Sequence, residues 1–243
     1  MTTVFQGHQY DLSYPDGIEN HWWHLTRNRV VLGEVRKVVT RGSAALDIGC
    51  GRGITVRHLR QRGIDCFGVE PGITKAISGA EAHVKFGLDA SELPDEERSR
   101  YDILLLLDVL EHLHEPAKVL ASLVTRFTRV SNIIITVPAR PELWSNWDEF
   151  YGHQRRYTAG MVVEVANLAA CELVHQSYYF RPMYVPARVL SALKVRHSTQ
   201  AGAPQGMRKA LHRLIASAML VDDVLPAWVP GMGIVARFRP SRR

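Results

Sequence analysis

Ala45-Leu46-Asp47-Ile48-Gly49-Cys50-Gly51-Arg52-Gly53 opens the strongest strand–turn–helix pattern in the chain. Residues 44–48 form a short apolar strand, three glycines follow at alternate positions, and residues 54–62 read as a helix stopped by Gly63. Glycine lets the backbone turn sharply and approach a ligand closely. The free N–H groups of the helix start suit a carboxylate or phosphate. A dinucleotide fingerprint requires Gly-x-Gly-x-x-Gly, and the position it needs as glycine is Ile54, which disfavours a dehydrogenase.

Working outward, strands and helices alternate. Further strands are predicted at residues 64–69, 83–87, 103–107, 132–137, 172–180 and 233–238. Helices are predicted at 20–40, just after Pro71, from Pro116, at 158–170 with Thr158 as N-cap, and at 211–225. Residues 140–157 read as a long, substrate-facing loop and 198–206 as a mobile one. The pattern predicts an α/β fold: a doubly wound, mostly parallel seven-stranded sheet with helices on both faces.

The 243 residues, 46% hydrophobic and 22% charged, are those of one globular unit that buries a core without staples. Three scattered cysteines argue against a disulfide framework and for a reducing, cytoplasmic setting. The polar residues 1–11 carry no secretory pattern, and the longest apolar run, 103–107, is too short to span a bilayer. A net charge of +6, with arginines clustered at 155–156 and 237–243, suits an anionic partner or a solvated basic face. The C-terminal helical pattern has mixed charges (Arg213, Asp222, Asp223), which favours ordinary core packing over a membrane surface.

Asp47 before Gly49, Gly51 and Gly53, Glu70 at the end of the second strand and Asp89 after the third are three acids at successive strand ends. This arrangement resembles the class I S-adenosylmethionine-dependent methyltransferases over about residues 40–140. The resemblance implies that the loop, Cys50 included, wraps the methionine part of S-adenosylmethionine and that Asp47 places its amino group. It further implies that Glu70, followed by Pro71, takes the ribose hydroxyls, and that Asp89 and Ala90 lie at the adenine.

Asp108-Val109-Leu110-Glu111-His112 after the fourth strand resembles the ubiquinone-biosynthesis O-methyltransferases, whose residues here sit beside the reactive methyl group. Asp108 and Val109 are then cofactor neighbours. Three roles stay open for Glu111 and His112. His112 acts as a base, or Asp108, Glu111, His112 and His153 ligate magnesium, manganese or zinc, or the pair bonds locally. The ligand set resembles that of small-RNA 2′-O-methyltransferases, although Asp108 is shorter than the usual glutamate there.

Gly152-His153-Gln154-Arg155-Arg156-Tyr157-Thr158 resembles a segment of a broad bacterial methyltransferase group, as does the aromatic-arginine segment containing Trp22, Trp23 and Arg27. Both are implied to be lids. Trp23 and Arg27 would face the cofactor, and His153, Arg155, Arg156 and Tyr157 the acceptor. Residues 1–243 then form a single domain: an N-terminal helical lid (1–40), a cofactor core (41–140), and a substrate loop with the C-terminal sheet half (141–243). The expected activity is O-methylation of a small molecule in secondary metabolism or glycan modification, with catalysis by His112, His153, Asp108 and Tyr157. RNA 2′-O-methylation is the second reading, set back by the lack of an arginine-rich stripe or an added RNA module. A catalytically silent binding module is the third, and a homodimer is compatible with the sequence.

Overall fold

A computed structural model describes residues 10, 12–196, 198–199, 202–226 and 228–241. Seven strands form one sheet: β1 (Ala44–Ile48), β2 (Asp65–Glu70), β3 (Val84–Phe86), β4 (Ile103–Leu107), β5 (Asn132–Pro138), β6 (Cys171–Tyr179) and β7 (Gly233–Pro240). Their order is β3-β2-β1-β4-β5-β7-β6. The pairs from β3 through β5 are parallel, while β7 runs antiparallel to both β5 and β6. β1 and β4 are buried at every residue, as expected for central parallel strands covered on both faces.

The pleat splits β4 between two cores. Leu104 and Leu106 face one core, where α3 (Pro116–Arg126) contributes Leu120 and Leu123. Ile103, Leu105 and Leu107 face the other, with Val31 and Val35 of α1 (Trp22–Arg36) and Val56 and Leu59 of α2 (Ile54–Arg60). Each of these leucines contributes about 1.5–3 kcal/mol through burial. The parallel crossovers leave the carboxyl ends of β1, β2 and β4 on one edge, where the glycine turn also lies. Gly53, at φ +82°, caps α2; a Cβ there would lie 2.7 Å from Val84 Cγ2 and 3.0 Å from Ala80 Cβ.

Four expectations are corrected. No helix starts directly after Pro71; residues 71–80 are irregular and only a 3-10 turn, Glu81–His83, precedes β3. The Ile77 N–H donates to the Arg52 carbonyl and the Gly87 N–H to the Gly72 carbonyl, so the backbone there bonds across to other segments. The 140–157 segment is partly helical: α4 (Asn146–Phe150) begins at a capping box in which Ser145 and Asp148 bond each other's backbone. After α5 (Ala159–Leu168, capped by Thr158 as expected) and β6, an unforeseen helix α6 spans Arg181–Ala192. Pro182 falls in its first turn, where a missing N–H costs little. The Phe180 and Arg181 N–H groups donate to the distant Asp222 carboxylate at 2.7 and 2.9 Å. The C-terminal helix, expected at 211–225, is α7 at Met207–Ala218 with a 3-10 turn at Met219–Asp223. No residue of α7 itself is fully buried, but Ile215 packs against the second core and Met219 and Asp222 of the turn are buried, so the segment packs on the fold along one side.

All three cysteines are free thiols, and among the described residues no helix is long and apolar enough to cross a membrane. The signal-peptide expectation rests on residues 1–9 and 11, which lie outside the described residues, as do 197, 200, 201, 227, 242 and 243.

The start of α1 rests on two imidazole acceptors. His21 Nδ1 accepts from the Trp23 N–H and His212 Nδ1 from the Trp22 N–H, both at 3.2 Å. Burial, with His212 adding, pulls the His21 pKa down to about 4. Burial, with nearby arginines at His58 and with His153 at His112, brings both to about 4 as well. Depressed histidine pKa values mean that the unfolded chain binds more protons between pH 6.5 and 4. The contribution of these histidines to stability is therefore full above pH 6.5 and falls as the pH drops towards 4. Thermal midpoints measured across that window are expected to decline steadily, and a flat profile would contradict this electrostatic picture.

Candidate active site

One cavity of about 980 Å³ runs along the carboxyl edge of the sheet. Gly49, Gly51 and Glu70 line one end, and Glu111, His112 and His153 line another part of the wall. Trp22, Trp23 and Arg27 of α1 and Met183, Ala187 and Leu190 of α6 also line it.

At the glycine turn, Gly49 and Gly51 adopt φ +73° and +53°. A Cβ on Gly49 would lie 2.9 Å from Val109 Cγ2, so the turn sits tightly against the chain leaving β4. Cys50 packs against Gly68, where an added Cβ would lie 2.6 Å from its Sγ. Asp47 is buried, and its Oδ1 has no hydrogen-bond partner. Burial pushes its carboxyl up to about 7; Arg27 opposes the rise, while Glu70 and Asp108 add to it. A buried carboxylate oxygen without a partner is costly unless a cation meets it.

Glu70 accepts from the Gly51 N–H at 2.9 Å through Oε2, and from the Tyr10 hydroxyl at 2.8 Å and the Gly72 N–H at 3.0 Å through Oε1. Tyr10, which the sequence did not single out, thus lies over the predicted ribose acceptor and stacks with Tyr14. Pro71 lines the cavity, but Asp89 and Ala90 do not. Asp89 caps a short turn, taking the Ser91 N–H at 2.8 Å, and Ala90 is packed in the core.

Asp108 adopts φ +57°, a left-handed conformation that costs a non-glycine residue about 1–2 kcal/mol. Its Oδ2 pairs with Arg27 Nη1 at 2.6 Å, and its Oδ1 accepts from the Thr136 hydroxyl at 3.1 Å. Arg27 also donates to Thr55 Oγ1 at 3.0 Å, lies 4.7 Å from the Trp23 ring centre, and keeps an unpartnered Nε. Trp22 and Trp23 pack against Phe180 as well as lining the cavity, so core and lid roles coincide.

Potential ligand atoms of Glu111, His112 and His153 lie within 4.8 Å of one another. Asp108 is outside this group because its carboxylate is committed to Arg27 and Thr136, so the four-ligand expectation is reduced to three. Glu111 is buried with Oε2 unpartnered; burial first, and then Asp108, push its carboxyl well above the usual range. His112 bonds the Tyr151 carbonyl, and burial and His153 hold it neutral, with a pKa of about 4.

His153 Nδ1 lies 2.8 Å from Asp148 Oδ1, a carboxylate that also takes Arg156 Nε at 2.8 Å and the Ser145 N–H at 2.9 Å. Burial disfavours the Asp148 charge, but the bond from His153 and the guanidinium of Arg156 outweigh it and hold its carboxyl below the usual range. A neutral His153 ring that donates Nδ1–H to Asp148 presents its Nε2 as the acceptor nitrogen. Asp148 was missed in the sequence, although Ser145-x-x-Asp148 has capping-box spacing.

Two lid residues do not reach the cavity. Tyr157 is buried in the core, donates its hydroxyl to the Leu110 carbonyl at 3.0 Å, and forms a bridge with Ala139. Its apolar ring found a better place beneath the site than over it. Arg155 donates to the Leu113 and His114 carbonyls at 3.1 and 2.9 Å and so braces the loop after β4.

A family described as "methyltransferase domain" matches residues 23–176. Among curated relatives, a ubiquinone biosynthesis O-methyltransferase of Acinetobacter baylyi is 31% identical over 87 residues, covering 32% of this chain and 37% of that protein. The chain spans about a third to about half of the length of the first such relatives. The fold is similar to Burkholderia thailandensis 1,6-didemethyltoxoflavin-N1-methyltransferase with bound S-adenosylhomocysteine: TM-score 0.55, 15% identity, 100% of this chain and 93% of that one. It is also similar to Synechocystis magnesium protoporphyrin IX methyltransferase with the same ligand: TM-score 0.55, 13% identity, 96% and 93% covered.

Proposed function

This chain belongs to the methyltransferase domain family, and from that premise we propose that it moves the methyl group of S-adenosylmethionine to a hydroxyl of a small-molecule acceptor. The supporting observation is that one cavity holds both the glycine turn with Glu70 and the Glu111–His112–His153 group. We read the whole chain as one domain serving that cavity.

The residues at the turn suit the cofactor. Asp47 Oδ1 is a buried acceptor without a partner, matched to an ammonium group. Arg27, with Nε unpartnered, takes the cofactor carboxylate, and Glu70 beneath Tyr10 takes the ribose hydroxyls. When bound, S-adenosylmethionine supplies a sulfonium methyl group open to in-line attack. His153 Nε2 accepts the acceptor's hydroxyl proton as the new carbon–oxygen bond forms, and Asp148 stabilises the resulting imidazolium. Trp22, Trp23 and the α6 wall exclude water from the attack.

The grouping of Glu111, His112 and His153 favours a second reading, in which they hold a divalent cation that lowers the acceptor hydroxyl pKa. Calorimetric titration with S-adenosylhomocysteine is expected to show one saturable site, and methyl transfer to hydroxylated small molecules is expected to follow. Absence of binding would sink the proposal. Loss of transfer in EDTA, restored by magnesium, manganese or zinc, would select the cation reading over the His153 base.

A further inference from the structure

The exposed apolar side chains of this protein are concentrated in its C-terminal third. Met207, Leu211 and Leu214 recur at helical spacing on α7, and Met207 is 91% and Leu214 67% exposed. Val185, Val189 and Leu193 are exposed on or beside α6, whose Met183, Ala187 and Leu190 line the cavity. The Met219–Asp223 turn contacts both helices, and Leu220, Val224 and Trp228 (80% exposed) add further exposed apolar side chains beside them. Isolated exposed leucines need no explanation; rows on adjacent elements do.

The unpaired exposed charges in the same stretch have one sign. Arg188, Lys194, Arg196, Arg208, Lys209 and Arg213 are exposed, Lys194 and Arg196 where the cavity lining reaches the surface, and among the described residues none of them forms an ion pair. The two acids of residues 181–228 are already committed: Asp222 caps α6 from a buried position and Asp223 pairs with Arg29. A second copy seated on this face would set cation against cation. A nucleic acid would match the charge but leave the apolar rows uncovered. A bilayer with anionic headgroups satisfies both, because its phosphates meet the cations while the apolar rows enter the headgroup–acyl boundary.

We propose that α6, α7 and residues 219–228 form a docking surface for an anionic lipid bilayer. α6 carries the cavity on one side and the docking rows on the other, so docking sets the cavity close to the membrane surface. The inference does not depend on which acceptor the cavity takes, and S-adenosylhomocysteine binding tests the cofactor site separately.

The test is co-sedimentation of the full chain with vesicles of phosphatidylcholine alone and of phosphatidylcholine with phosphatidylglycerol. Binding is expected only to the anionic vesicles, weakening in high salt, with a change in tryptophan emission that Trp228→Phe removes. Leu211→Glu with Leu214→Glu, and separately Arg208→Glu with Lys209→Glu, are each expected to lower partitioning about tenfold or more. These positions are exposed, so the thermal midpoint and S-adenosylhomocysteine affinity serve as folding controls. Absence of anionic-vesicle binding, or variants that partition like the parent, would overturn the proposal. A solution dimer that Leu214→Glu dissociates would assign the face to self-association and overturn it equally.

Discussion

Asp47→Asn weakens S-adenosylhomocysteine binding by about a hundredfold and leaves the thermal midpoint unchanged or higher. The first effect follows from removing one member of a buried charge pair, which costs about 2–5 kcal/mol. The second follows because Asp47 has an unpartnered oxygen before any ligand arrives. Its pKa, raised by burial to about 7, means that the folded chain holds an extra proton between the ordinary carboxylate range and pH 7. The Asp47 contribution to stability therefore falls as pH rises through that window, against the larger trend from the three histidines, and the amide removes this penalty. Affinity runs the opposite way. Below pH 7 a proton competes with the cofactor ammonium, so binding by the parent chain is expected to weaken about tenfold per pH unit. The Asp47→Asn variant should lose most of this pH dependence. Calorimetry between pH 8 and pH 5.5 reads both effects. A variant that binds like the parent would remove Asp47 from the cofactor site.

His153→Gln is expected to lower kcat by a factor of about 10² to 10⁴ while S-adenosylhomocysteine affinity changes little, the range typical of losing a positioned base. Glutamine keeps a donor for Asp148 and so spares the Ser145–Asp148–Arg156 network that starts α4. His112→Gln should cost less under the base mechanism, because His112 is tied to the Tyr151 carbonyl. Under the cation reading the two variants lose activity together, and cation affinity with it. Turnover and metal titration of both variants separate these cases. Full turnover by His153→Gln would exclude either role for that side chain.

The central sheet was legible because local pattern and burial agree there. Residues 103–107 are apolar throughout, and the strand they form is buried throughout. The glycine turn was legible for the same reason, since φ values of +53° to +82° at Gly49, Gly51 and Gly53 are what its spacing implied. Elements held by distant partners were not. The start of α6 takes its cap from Asp222, some forty residues on, and Pro182 and Pro186 hid the helix. Among the site residues, Glu111, His112 and His153 do converge, but their neighbours could not be ordered from spacing alone. Asp108 was drawn to Arg27, eighty-one positions earlier, and Tyr157 to the Leu110 carbonyl. Asp148 left a trace only as a capping box inside a stretch rich in aromatic and charged residues.

The most direct measurement is a crystal structure of the chain with S-adenosylhomocysteine. The proposed mechanism predicts the amino group within about 3.2 Å of Asp47 Oδ1. It predicts the ribose at Glu70 and the sulfur facing the part of the cavity that His153 and Glu111 line. A ligand bound with its sulfur turned away from His153, or bound elsewhere with Asp47 still unpartnered, would contradict it.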